Sequence, residues 1–240
     1  MRHFITCTFA ILAAFIFFGL SGFIKIPTPV PSSLPVPLIP QIADELCWAA
    51  CTEMVSTYLN GIDPNAPALT QCQLFDSSGF GDCNINCNTI DTSMFPTACN
   101  KQSTPFPNLG NNLCFGYTKS TTTWDSNFIF HPFTWRVLDS MLTQVKMPII
   151  FSWQWEGITI RTLNQSNWHY IVAIGAPHTR YSNRGWVSIN DPWPVGKGRH
   201  SIIAYSEYAN NIPAPTDSNV HTSVYFVHGM DYYDFKYVGK

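Results

Sequence analysis

Charge is scarce in this sequence. Charged side chains make up 12% of its 240 residues, and 13 Lys and Arg against 15 Asp and Glu leave a formal net charge of -2. There is no basic field for a phosphate backbone and no acidic surface for a cationic partner, which argues against nucleic acid as a partner. Short His-x-x-x-His spacing is also missing: His3, His131, His178, His200, His221 and His228 are scattered. A catalytic metal is therefore not expected, and no cofactor is implied. What the sequence has instead is apolar and aromatic mass, 45% and 15% of residues. That is enough for one substantial core in a single domain or two small lobes, and one catalytic unit is expected.

A long apolar run occurs once, at the N-terminus. Arg2 and His3 precede Phe4 through Phe18, and the small residues Gly19, Ser21 and Gly22 follow. The pattern over residues 1–24 is that of an export signal cut near Ser21-Gly22. Because apolarity continues to Ile24, an uncleaved anchor is the alternative. Either way the remainder is expected to be secreted or extracytoplasmic, and membrane-associated only if the segment is retained. Residues 25–40 then carry Pro27, Pro29, Pro31, Pro35, Pro37 and Pro40, which keep the chain extended and deny it internal hydrogen bonds. They are expected to form a spacer or an arm on the surface of a domain spanning 41–240. About twenty residues between signal and domain are too few for a folded inhibitory prosegment.

Apart from Cys7 in the signal, seven cysteines remain: Cys47, Cys51, Cys72, Cys83, Cys87, Cys99 and Cys114. An odd number in an oxidising compartment leaves one thiol unpaired. If that thiol is Cys47, the other six form three bridges, and sequence leaves fifteen pairings open. Residues 70–115 then read as a disulfide-rich insert, since 72–134 are rich in Asn, Thr, Ser, Pro and Gly with little helical or strand period. Zinc at Cys72, Cys83 and Cys87 is the weaker reading, because no second tight Cys or His pair lies nearby.

After the prolines the character changes. From Cys47 onward Ala50, Met54, Val55, Tyr58 and Leu59 recur at helical spacing, which puts Cys47 in the first turn of a helix. There the positive end of the helix dipole favours a thiolate, the form that attacks. Cys51, one turn deeper, is the competing nucleophile and reads better as a buried apolar residue or a disulfide partner. Gln41, on the approach loop six residues earlier, carries an amide that could stabilise an oxyanion beside the sulfur.

Residues 167–176 are an apolar, β-prone run with His169 at its mouth, read as a strand entering the core. A second short strand, from Trp186, is halted by Pro192. That places Asn190 or Asp191 at a strand end, where on a neighbouring antiparallel strand either could accept the imidazole N–H and fix its tautomer; Asp191 is preferred. Trp153 and Trp155 alternate across a further strand, and the Tyr-rich stretch from Tyr225 to Tyr237 reads as a closing strand.

Together, Gln41 to Ala50, Trp135 to Trp155, His169 to Gly175 and Asp191 to Pro194 resemble the papain-like cysteine peptidases. Most similar are the bacterial members that open on Gln…Cys-Trp-Ala-Ala, among them type III effector peptidases and relatives of bacteriocin-leader peptidases. The resemblance covers roughly residues 41 to 200. His169 lies 122 residues beyond Cys47, close to the papain-like interval. Leu69-Thr-Gln-Cys72 and Gly81-Asp-Cys83 resemble a cysteine-bearing insert of that group.

The resemblance implies an α+β fold, a helical lobe packed on an antiparallel sheet or barrel. It implies Cys47 as nucleophile, His169 as general base and acid, Asp191 as orienting carboxylate and Gln41 as oxyanion donor. The sequence departs from plant papains in lacking their Gly-Ser/Ala-Cys run, in having Ser-Asn-Trp before His169 and in placing Asn190 before Asp191. A monomer acting on a peptide or protein substrate is expected. Two alternatives use the same residues: a transglutaminase or acyltransferase, and a non-catalytic secreted binding module in which Cys47 is bridged or unreactive.

Overall fold

A computed structural model describes residues 33–78, 100–101, 115–119, 132–157, 168–177, 185–209, 212–213 and 224–237. The signal or anchor expected over 1–24, most of the cysteine-rich insert, and His3, His131, His178 and His221 lie outside the described residues. No helix among the described residues is long and apolar enough to cross a membrane. The compact unit that contains the described residues runs Ser32–Lys240.

The architecture is α+β. Helix α1, Cys47–Ile62, begins at the nucleophile candidate as the apolar spacing predicts. It stops at Asp63, which is extended at φ -123° and ψ 105° because Pro64 disfavours helical geometry in the residue before it. Helix α2, Gln71–Ser77, starts with a reciprocal capping box between Thr70 and Gln73. Helix α3, Trp135–Ser140, runs on into a π-helical turn, Met141–Val145, which ends where Lys146 adopts a left-handed φ of 61°. Helix α4 is a short turn, Tyr205–Ala209.

The strands are β1 Phe115–Lys119, β2 Ile149–Gly157, β3 Trp168–Gly175, β4 Trp186–Asp191, β5 Arg199–Ala204, β6 Ile212–Pro213 and β7 Val224–Tyr237. They form one antiparallel sheet in the order β1-β7-β2-β3-β4-β5, with β6 pairing β7 off that path. The expected sheet or barrel is a sheet, since β1 and β5 at its two ends do not pair among the described residues. The closing strand read over 225–237 is β7, and it lies inside the sheet between β1 and β2. Strand β1 falls in the stretch expected to be irregular, where a five-residue strand containing Gly116 carries little period.

The core joins helix to sheet. Trp48, Cys51 and Met54 of α1 pack in one cluster with Ile150 and Phe151 of β2 and Ile171 to Ile174 of β3. Each fully buried side chain of this size contributes about 1.5–3 kcal/mol of transfer free energy, so α1 is held by its apolar face. The proline-rich segment is an arm, at least from Ser33. Leu34 and Val36 are buried, the Leu34 N–H donates to the Ile174 carbonyl, and Asn190 donates to the Val36 carbonyl.

Candidate active site

The first turn of α1 places Cys47 against the mouth of β3. Cys47 is free and buried, its sulfur lies 3.8 Å from the Trp168 carbonyl oxygen, and it is close enough to the His169 imidazole to act on the ring's proton affinity. The thiol can donate to that carbonyl; the thiolate can accept from the ring. Leu46, the N-cap, supplies no side-chain cap, and the first turn contains no acidic residue. The first-turn amide N–H groups are therefore left without a side-chain cap.

Strand register brings the next two groups together. Strands β3 and β4 pair Val172 with Asn190 and Ala173 with Ile189, so Asp191 falls opposite Ile171 and diagonal to His169 on the same sheet face. His169 Nε2 and Asp191 Oδ1 are 2.8 Å apart. The carboxylate can only accept, so Nε2 carries the proton and Nδ1 is the nitrogen left for Cys47.

Asp191 is held below the ordinary carboxylate range. Its burial works in the other direction, but hydrogen bonds from His169 and the Trp193 N–H, with the charges of His169 and Arg199, prevail. Burial likewise opposes charge on His169, yet the Asp191 and Cys47 partners outweigh it and raise its pKa to about 10. The imidazolium is therefore the resident form at neutral pH, between a carboxylate and a sulfur.

The choice between Asn190 and Asp191 follows from the pleat, because consecutive side chains leave a strand on opposite faces. Asn190 sits opposite His200 in the β4–β5 ladder, accepts from His200 Nδ1 at 3.0 Å and donates to the Val36 carbonyl. Asp191 sits opposite Arg199, whose guanidinium reaches Oδ2 at 3.0 Å. The Arg199 side chain is 62% exposed, so this pair adds little stability on its own.

Gln41 is fully buried, and its backbone ties the approach loop to the turn after Asp191. Its N–H donates to the Pro192 carbonyl and its carbonyl accepts from the Gly196 N–H. Its side-chain Nε2 donates to the carbonyls of Ala43, at 2.9 Å, and Asp44, at 2.8 Å, while Oε1 is buried without a partner. Those two bonds account for both amide hydrogens. In this arrangement Gln41 shapes the loop, and donation to an oxyanion requires one hydrogen to leave a loop carbonyl.

The cysteine arithmetic needs correction. Cys51 is free and fully buried, so it is not one of six bridged cysteines. One helical turn beyond Cys47 it points into the packed interior, and burial pushes its thiol well above the ordinary range. Cys72 is disulfide-bonded; Cys83, Cys87, Cys99 and Cys114 lie outside the described residues.

Two polar groups were not legible in the sequence. Gln71, at the start of α2, bonds the backbone on both sides of Gln41. Separately, Asp231 accepts from the Tyr208 hydroxyl at 2.6 Å and from the Phe133 N–H at 3.2 Å. His228 donates from Nδ1 to the Tyr208 carbonyl at 2.7 Å, and its Nε2 lies 3.3 Å from Asp231 Oδ2 but off the line of a hydrogen bond. No spacing in the sequence joins residues 133, 208, 228 and 231; sheet pairing and α4 do.

The chain matches no protein-family model and no curated protein.

Proposed function

We propose that this chain is a papain-like thiol hydrolase, an extracytoplasmic cysteine peptidase working through an acyl-enzyme. The reading is carried by one observation: the His169 imidazole, 2.8 Å from the Asp191 carboxylate at the mouth of β3, lies between that carboxylate and the free Cys47 thiol at the tip of α1. An activated nucleophile needs such a base, held in turn by a third group.

In this mechanism the Cys47 thiolate attacks the peptide carbonyl carbon. The negative charge passes to the carbonyl oxygen, where the Cys47 backbone N–H at the helix tip receives it. Gln41 adds a second donor by turning one amide hydrogen from a loop carbonyl to the oxyanion. Imidazolium His169 gives its Nδ1 proton to the leaving amine as the C–N bond breaks, leaving a thioester on Cys47. Neutral His169 then takes a proton from water, the hydroxide attacks the thioester and the C–S bond breaks. Thiolate and imidazolium are restored, and Asp191 keeps the ring oriented throughout.

Replacing Cys47 with Ala tests the assignment. Peptide hydrolysis and covalent labelling by an active-site thiol reagent are both expected to vanish; turnover that survives the substitution ends the proposal.

A further inference from the structure

The chain around Gln41 is bonded like a strand between two neighbours. Residue 41 bonds one side, through its N–H to the Pro192 carbonyl and its carbonyl to the Gly196 N–H. Residues 40 and 42 bond the other side, and their partner is a single side chain. Gln71 Oε1 accepts from the Ile42 N–H at 3.0 Å, and Gln71 Nε2 donates to the Pro40 carbonyl at 3.0 Å. The alternation is that of a strand edge, with one amide standing in for a neighbouring peptide unit. Gln71 is 3% exposed, and its Nε2 also donates to Glu53 Oε2 at 3.0 Å. Glu53 is on α1, the helix that begins at Cys47.

We propose that Gln71 is a positioning residue for the Cys47 site: its side-chain amide locks the 40–42 segment between α1 and the 192–196 turn. It thereby holds Gln41, which lies on that segment, in place relative to α1, the helix that begins at the nucleophile. The inference rests on the hydrolase reading above and extends it, since the Gln71 amide bonds Pro40, Ile42 and Glu53 rather than Cys47 or His169. Three directed bonds from one buried amide hold a loop more closely than apolar packing does, and displacement of about 1 Å at a reacting centre costs on the order of 100-fold in rate.

The test compares peptide hydrolysis with alkylation of Cys47 by a haloacetamide, which needs no oxyanion stabilisation. Gln71→Met keeps the volume and removes all three bonds. It is expected to lower kcat about 10- to 100-fold, with KM and the alkylation rate within about threefold. In a Gln41→Ala background the same substitution is expected to cost no more than about twofold further, because coupled groups are non-additive. An unchanged kcat, or an equal loss in both backgrounds, overturns the inference. If Gln71→Met does not fold by thermal melt and circular dichroism, Gln71→Glu is read the same way; it keeps the acceptor for the Ile42 N–H and loses both donor bonds. Failure of both variants to fold makes Gln71 a stability residue and overturns the positioning role. Wild-type protein that alkylates at Cys47 but hydrolyses no peptide sinks the hydrolase reading itself, a result distinct from any behaviour of the variants.

Discussion

His169 and Asp191 are diagonal neighbours on one face of the β3–β4 ladder, with Nε2 and Oδ1 2.8 Å apart. The contact depends on register: a slip of one residue would turn Asp191 to the opposite face and bring Asn190 into its place.

The first prediction concerns pH. Burial disfavours the imidazolium, but Asp191 and Cys47 together raise the His169 pKa from 6.5 to about 10. A raised pKa means the folded state holds the proton more tightly than the unfolded chain. The resulting stabilisation is complete below about pH 6.5 and is lost as pH rises through about 10. The melting temperature is expected to fall across that window, and the basic limb of kcat/KM to lie near its upper end. In Asp191→Asn the limb should move down by about one to three pH units and the slope of stability against pH should flatten. The limb belongs to the Cys47–His169 pair as a unit. An identical pH profile in wild type and Asp191→Asn would contradict the assigned cause.

Thiol chemistry gives the second prediction. Cys47 and Cys51 are both free, but Cys51 is fully buried and its thiol is pushed far up by burial. Native protein treated with iodoacetamide is expected to be labelled at Cys47, with Cys51 reacting only after denaturation. Peptide mapping by mass spectrometry reads both sites. Cys51→Ala should leave Cys47 labelling unchanged and cost about 1 kcal/mol of stability for the lost sulfur contact. Equal labelling of the two thiols in the folded state would contradict the packing around α1.

The third prediction uses Gly229 of β7. A Cβ there would run into the Trp168 ring and the Ser152 hydroxyl, and Trp168 immediately precedes His169. Gly229→Ala is therefore expected to cost about 1–3 kcal/mol by overpacking and to lower activity by displacing the mouth of β3. Denaturant melts and initial rates check this. A variant as stable and as active as wild type would show that the tryptophan has room to move.

The periodic elements were the legible part. Helix α1 announced itself by apolar residues at helical spacing, and β3 and β4 by apolar runs ended by Pro or a loop. The triad candidates sit where those elements begin or end, so Cys47, His169 and Asp191 could be named before any geometry was known. Asp191 was preferred, but Asn190 stayed open beside it, because adjacent residues differ only by the face they take and that face is set by pairing with β3 and β5. The pairing state of Cys51 was misread because parity counts cysteines without knowing which of them the core excludes from the solvent. Gln71 was invisible as a site residue: its role depends on α2 folding back on the residues around Gln41, a tertiary contact with no local signature. Gln41 was legible as an approach-loop amide able to reach the space beside the sulfur, whereas its burial and its bonds to Ala43 and Asp44 depend on how the loop closes.

The most direct measurement is capture of the acyl-enzyme. Folded protein is mixed with an activated peptide ester, quenched in acid within the first turnover and digested for mass spectrometry. The account predicts one acyl group in thioester linkage on the peptide containing Cys47, absent in Cys47→Ala and accumulating when His169 is replaced by a residue that cannot activate water. Turnover of the ester with no acyl group on Cys47, or with the acyl group on another residue, would contradict it.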